Sequence, residues 1–349
     1  YRFRSDGGGW ILLAVYVDDF FWIGSDRGLL DDAIRKFSSY FTVTNLGTPE
    51  WFLGMRIRRG SGFASVDQST YARKVLEQFG MSDCNPLSSP LDPSATLSTA
   101  MSPQDAAARA EMAGVPYREA IGSLMYLACG TRPDLAAAVG IAARFMSNPG
   151  HQHWLAVKRI FRYLRGTVDF GLVYEADPGE GRVRDTGMPV PRIFGYSDAD
   201  WGADVDSRRS TSGYVFLNAG AAISWQSKRQ PTVSLSSTES ELMALVAAIR
   251  EALSWRNRLE AVGMGSAEPI RILADNNGAL ALIKSPTSRE TTKHIAIRTF
   301  FARDVVESGI VETIYVASAE NAADVLTKAV AGERMRLARE MLGLRPIRE

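Results

Sequence analysis

The sequence has 349 residues, 46% of them hydrophobic and 23% charged, with a formal net charge of +1. That length suits roughly two or three domains with ordinary cores, and the near-neutral balance excludes nucleic-acid binding through bulk positive charge, leaving only local patches for it. No apolar run approaches the roughly 18 to 20 residues of a membrane helix, no signal-peptide pattern opens the chain, and Cys84 and Cys129 form neither a disulfide framework nor a CxxC site. An intracellular protein without membrane attachment is expected, and the opening at Tyr1 suggests a piece cut from a longer polyprotein or a truncated gene.

Along the chain, residues 10–24, WILLAVYVDDFFWIG, are two apolar β-prone runs around a paired aspartate, the pattern of a hairpin with Asp18 and Asp19 at its tip. Helical spacing follows over 29–41, then a strand over 51–58, a helix over 69–79 and a Pro/Ser-rich connector, NPLSSPLDPSATLS. Helices are predicted over 117–129, 134–146 and 153–165. The last places Val157, Ile160, Phe161 and Leu164 on one face and Lys158, Arg159, Arg162 and Arg165 on the other. Four cations on one side can grip phosphates, although such a face is more often simply solvated.

The Gly-, Pro- and charge-rich stretch EADPGEGRVRDTGMPVP reads as a linker, after which a second unit begins. Its predicted order is a strand over 192–198, a hairpin of 213–217 and 222–227, a long helix over 239–262 and a strand over 270–274. Two helices, from 277 and over 295–308, precede a strand over 311–316 and a closing helix from about Ala322. The fold class is α/β with a mixed five-stranded sheet, and carboxylates at its strand ends can share one edge.

Four carboxylates fit that edge. Asp198 ends the strand RIFGYSD, Asp275 ends IRILAD, Glu241 lies at the start of the long helix, and Asp324 begins the closing one. Such hard oxygen donors suit two Mg²⁺ ions about 4 Å apart, which can activate water and stabilise the departing oxygen of a phosphodiester. Each residue alone has an ordinary reading: Asp favours helix starts, and TESE also reads as a capping box with Glu241 at its third position. Pattern alone does not separate Glu239 from Glu241.

Together the motifs resemble the C-terminal part of the Pol polyprotein of copia-type LTR retrotransposons, reverse transcriptase followed by ribonuclease H. The likeness runs through YVDDF, FLGMRI, IGSLMYL, TRPDLAAAV, KRIFRYLRGT, GYSDADW, RRSTSGYVF, SLSSTESEL, ADNNGALAL, KHIAIR and NAADVLTK, in family order over nearly the whole chain. It implies a ribonuclease H-like sheet with flanking helices, and a metal-binding catalytic quartet of Asp198, Glu241, Asp275 and Asp324. Two Mg²⁺ ions are implied, with Mn²⁺ as the alternative. The implied reaction is endonucleolytic hydrolysis of the RNA strand of RNA-DNA hybrids, with Glu241 rather than Glu239 as the helix ligand and Asp200, Asp204 and Asp206 as loop acids.

The resemblance divides the chain into a partial reverse transcriptase palm (1–60), a helical thumb and connection (61–176), a linker (177–191), a ribonuclease H domain (192–331) and a C-terminal tail (332–349). Partners would be the RNA-DNA hybrid, a primer-template duplex and the rest of the polyprotein, in a cytoplasmic virus-like particle. In the thumb, the Lys158, Arg159, Arg162 and Arg165 face becomes a duplex-backbone contact.

Two departures stand out. The segment YVASAENAAD carries no histidine where many ribonucleases H have a flexible one before the last aspartate, so proton transfer falls to water. His294 is the only histidine of this half; it is expected as a helix-start residue, with hybrid contact or replacement of the missing histidine as alternatives. Asp18 and Asp19 match the metal-binding YVDD of the polymerase, whose further aspartate and fingers are expected before Tyr1. The alternatives are a polymerase fragment active only when completed, and an inactive nucleic-acid-binding remnant. Primer extension on a templated substrate by the purified chain is expected to give no product; extension above a no-enzyme control would contradict the incomplete-palm reading.

Overall fold

The computed structural model describes residues 1–5, 8–175, 193–284 and 293–347, so the linker expected at 177–191 lies outside the described residues. Strands β1 (Arg2–Arg4), β2 (Trp10–Tyr16) and β3 (Asp19–Gly24) form an antiparallel sheet. Tyr16 pairs with Asp19, leaving Val17 (φ 50°) and Asp18 as the turn. Helix α1 (Arg27–Tyr40) is capped by Asp26, whose carboxylate accepts the Leu29 N–H.

Next come β4 (Trp51–Phe52), β5 (Met55–Gly60), β6 (Phe63–Asp67) and helices α2 (Ser69–Gln78), α3 (Ala106–Met112), α4 (Tyr117–Gly130), α5 (Ala136–Ala143) and α6 (His151–Gly166). After β7 (Phe170–Glu175), the second half contains β8 (Phe194–Ala199), β9 (Thr211–Asn218), β10 (Ala221–Arg229), α7 (Ser237–Ala261), β11 (Ile270–Ala274), α8 (Asn277–Lys284), α9 (Lys293–Glu307) and β12 (Val311–Tyr315). Helix α10 (Gly332–Met341) and β13 (Leu344–Pro346) end it.

Three expectations need correction. The 61–176 segment is not purely helical: it contributes β6 and β7 to an antiparallel sheet of order β13-β7-β6-β5-β4. The segment 332–349 is not a tail, because α10 packs into the core and β13 pairs with β7. Gly343, at φ 69°, permits this return: a Cβ there would stand 2.4 Å from the Gly220 carbonyl. The closing helix expected from Ala322 is a short 3-10 turn, Ala322–Leu326, that stops before α10.

The sheet that organises the second half has the order β10-β9-β8-β11-β12, with β8, β9 and β10 antiparallel and β8, β11 and β12 parallel. This is the ribonuclease H-like α/β architecture expected from the motifs. One face packs on α7, α8 and α9 through Phe216, Leu245, Ile249 and Ile272. The other packs on the helices of the first half, where Leu124, Ile160, Phe161 and Leu164 share a core with Tyr196, Val215 and Leu273. Covered on both sides, β8 has no exposed residue, so its burial is continuous rather than alternating even through Ser197 and Asp198.

Within the helical half, Arg132 is 2% exposed and grips Asp134 through two hydrogen bonds, Nε to Oδ1 at 2.9 Å and Nη2 to Oδ2 at 2.8 Å. It also donates to the Thr167 carbonyl and hydroxyl, while Tyr163 donates to Asp134 at 2.6 Å. Removing one partner of such a buried pair strands the other's charge. Arg132→Met should therefore destabilise the protein by about 3–5 kcal/mol, read as a lowered urea midpoint. Arg336→Ala, on the exposed face of α10, should leave the midpoint in place; equal effects would contradict this account.

Candidate active site

Sheet register brings the first two carboxylates together. Ala274 of β11 pairs with Ser197 of β8, so Asp275 and Asp198 leave two adjacent parallel strands at the same edge. Helix α7 begins over that edge. Its cap is Ser236, whose hydroxyl accepts the Glu239 N–H, and the Glu239 carboxylate turns back to accept the Leu235 N–H at 2.8 Å. The cap thus lies two residues earlier than the TESE pattern suggested and occupies Glu239, whereas Glu241 turns toward the sheet. Ligand oxygens of Asp198, Glu241 and Asp275 lie within 4.8 Å of one another.

Asp324 arrives on the 3-10 turn. Asn321 caps that turn, accepting the Ala323 N–H, and its Nδ2 donates to the Ser197 carbonyl at 2.9 Å, which fastens the turn to β8. Gly213 permits the approach, since a Cβ there would lie 2.8 Å from both Leu326 Cβ and Thr327 Cγ2. Thr327 then donates its hydroxyl to Asp198. Lys328, one turn after Asp324, sets its Nζ 2.9 Å from Asp324 Oδ1 and 4.0 Å from Asp198 Oδ2. Arg334 donates to the other Asp324 oxygen at 3.3 Å.

Burial sets the electrostatics. Asp198 is 2% exposed and Glu241 8%. Desolvation, reinforced by the negative charge of Asp198 and Asp275, pushes Glu241 up to about 9. Desolvation also raises Asp198 to about 6, against the lowering influence of Lys328. Burial acts against the Lys328 ammonium, but Asp198 and Asp324 outweigh it and hold its pKa above the usual value. Glu241 Oε2 is buried with no hydrogen-bond partner among the described residues. Crowded carboxylates with an orphaned oxygen fit a divalent cation held by oxygen donors, and Asp198, Glu241 and Asp275 are placed to hold it.

The other sequence candidates fare differently. Asp18 and Asp19 stand on an exposed tip, and among the described residues no third acidic or histidine side chain gathers with them. The basic face of α6 is largely committed elsewhere: Arg159 pairs with Asp92 at 3.4 Å, Arg162 donates to the Asn85 carbonyl at 2.8 Å, and Arg165 to that of Ser82. These arginines tie residues 82–92, which include the start of the Pro/Ser-rich connector, to α6. Lys158 lies over the Trp154 ring. The side chain of His294 lies outside the described residues.

Of the loop acids, Asp204 is buried between Arg144 (3.0 Å) and Arg229 (2.8 Å), and Asp206 accepts from the N–H and hydroxyl of Thr99. They tie the β8–β9 loop to the first half. Sequence reasoning missed Thr327, Lys328 and Arg334 at the site; the first two stand in NAADVLTK, three and four residues after Asp324, a spacing that puts them on its side of a helical turn.

A family profile described as reverse transcriptase (RNA-dependent DNA polymerase) matches residues 2–93. The chain is 38% identical, over 98% of its length, to the retrovirus-related Pol polyprotein from transposon TNT 1-94 of Nicotiana tabacum, and 34% identical, over 92%, to that from transposon RE2 of Arabidopsis thaliana. It spans 25% and 21% of those relatives' lengths. An uncharacterized mitochondrial protein of Arabidopsis thaliana is 35% identical over 70% of this chain, which covers 93% of it. Among solved structures, RNase H1 from Halobacterium salinarum overlaps 39% of this chain and 95% of its own at 17% identity and a TM-score of 0.29. A foamy viral protease-reverse transcriptase overlaps 87% of this chain and 46% of its own at 12% identity and a TM-score of 0.44. The sequence matches carry the assignment: the chain belongs to the copia-type retrovirus-related Pol polyproteins of transposons.

Proposed function

We propose that the cluster of Asp198, Glu241, Asp275 and Asp324 hydrolyses the RNA strand of RNA-DNA hybrids with two divalent cations, Mg²⁺ foremost and Mn²⁺ as the alternative. One observation carries the reading: three carboxylates converge within 4.8 Å at a strand edge, with the buried Glu241 Oε2 left unpartnered. Bound there, such ions lower the pKa of an attacking water and stabilise the departing 3′ oxygen.

The chain's own residues supply the arrangement. Asp198, Glu241 and Asp275 would hold one ion, and Asp198 with Asp324 the other. Thr327 fixes the Asp198 carboxylate by its hydroxyl, and Arg334 fixes Asp324 while donating to the Ser318 and Asn321 carbonyls. With no histidine in the 315–324 segment, proton transfer falls to solvent. A primer-template duplex at the first half, the remainder of the polyprotein as partner and an intracellular particle as setting belong to the same proposal. No described helix is long and apolar enough to cross a membrane.

Two outcomes follow. Asp198→Asn should abolish Mg²⁺-dependent cleavage while hybrid affinity, measured by anisotropy, stays within about threefold of the parent, since phosphate contacts dominate affinity. Equal cleavage by mutant and parent would sink the site assignment. The second outcome is a pH dependence of the metal-free protein.

Because Glu241 (about 9) and Asp198 (about 6) lie above unfolded values near ~4, the native state retains protons that the unfolded state has released. Their effect is absent below about pH 4 and costs stability progressively as pH rises, through about 6 for Asp198 and 9 for Glu241. The urea midpoint of metal-free protein should fall from pH 5 to 9, and Glu241→Gln should flatten the fall. An unchanged slope in that variant would contradict the electrostatics.

A further inference from the structure

The four carboxylates are not equally free. Both oxygens of Asp324 already face cations as ion pairs, Lys328 at 2.9 Å from Oδ1, which like Glu241 Oε2 accepts no hydrogen bond among the described residues, and Arg334 at 3.3 Å from Oδ2. Asp198 Oδ2 takes the Thr327 hydroxyl and lies 4.0 Å from the same Lys328 ammonium. On the opposite side, the Glu241 Oε2 atom has no partner among the described residues. The cluster therefore has an open side, Glu241–Asp275–Asp198, and a side already neutralised, Asp198–Asp324.

The two cations differ in kind. The Arg334 side chain is 19% exposed and is also tied to the Ser318, Ala319 and Asn321 carbonyls, so it belongs to the frame of the 318–324 turn. Lys328 is 45% exposed, makes no other ion pair among the described residues, and is a compact charge on a flexible four-carbon stem that solvent can receive.

We propose that Lys328 is a resident cation of the cluster, occupying the Asp198–Asp324 side in the metal-free protein and competing there with a divalent ion, so that the two sides load unequally. The inference rests on the metal-dependent reading above. It makes Lys328 a positioning residue, acting through the carboxylates: it keeps Asp324 and Asp198 together without metal, and it withdraws toward solvent, where a substrate phosphate can take its charge, when the second ion enters.

The test is Mn²⁺ binding to the purified full chain in the absence of nucleic acid, followed by calorimetry and by the electron paramagnetic resonance of free Mn²⁺, with circular dichroism to verify folding. The parent is expected to bind one ion well and a second weakly. Lys328→Met should tighten the second step by about tenfold or more, because a like-charged competitor for Asp198 and Asp324 is removed, with the first step changed far less. Lys328→Arg, which keeps the charge, should restore the weak second step. Two equivalent ions in the parent, or a second step in Lys328→Met within about twofold of the parent's, would overturn the inference while leaving the metal reading intact. No Mn²⁺ binding by the folded parent would overturn the metal reading and the inference with it.

Discussion

The structure depends on one constraint: Asp198 projects from a strand that is covered on both faces. Strand β8 lies between α7 on one side and the Ala322–Leu326 turn on the other, within the core shared with the first half, so a carboxylate at its end is removed from water. Burying such a group alone is costly, and burying Glu241 beside it costs more. Everything around the pair answers that cost in part. Thr327 donates a hydroxyl, Lys328 brings a charge, and the remaining deficit appears as the orphaned Glu241 oxygen and the raised proton affinity of both acids. A divalent cation bound there would offset that cost.

The same covering explains why the first half matters to the second. The Ala322–Leu326 turn that covers β8 and β9 rests against α5, α5 itself packs on β10, and Arg144 of the loop after α5 pairs with Asp204 in the loop that leaves the Asp198 strand. Gly343 and β13 return the end of the chain to β7, with Tyr174 donating to the Ala222 carbonyl across the junction at 2.7 Å. The expected division of the chain follows motif order, but the core between the helices of the first half and the sheet of the second is continuous.

Much of this was legible in the sequence because the signals are local. The strands ending in Asp198 and Asp275, the YVDD hairpin and the amphipathic α6 all announce themselves within ten residues. What was missed is non-local. Strand β7, FGLVYE, follows a helix directly and finds its partners about a hundred residues earlier, in β6, and at the end of the chain. The arginines of α6 read as a solvent-facing stripe because nothing in the sequence says that the 82–92 connector folds onto them. Lys328 went unremarked in the sequence; its proximity to Asp198 depends on Gly213, which lets the 3-10 turn settle on β9. The choice of Glu241 over Glu239 came from family likeness, and its physical reason, the diversion of Glu239 into the helix cap, is visible only in three dimensions.

The central claim is that this buried carboxylate edge is a metal-dependent nuclease site selective for hybrids. The most direct measurement is incubation of the purified chain with end-labelled RNA-DNA hybrid, double-stranded RNA and double-stranded DNA, each with and without Mg²⁺. The account predicts internal cleavage of the RNA strand of the hybrid alone, and only with Mg²⁺. Cleavage that persists without a divalent ion, attacks all three duplexes alike, or fails to occur in the folded protein would contradict it.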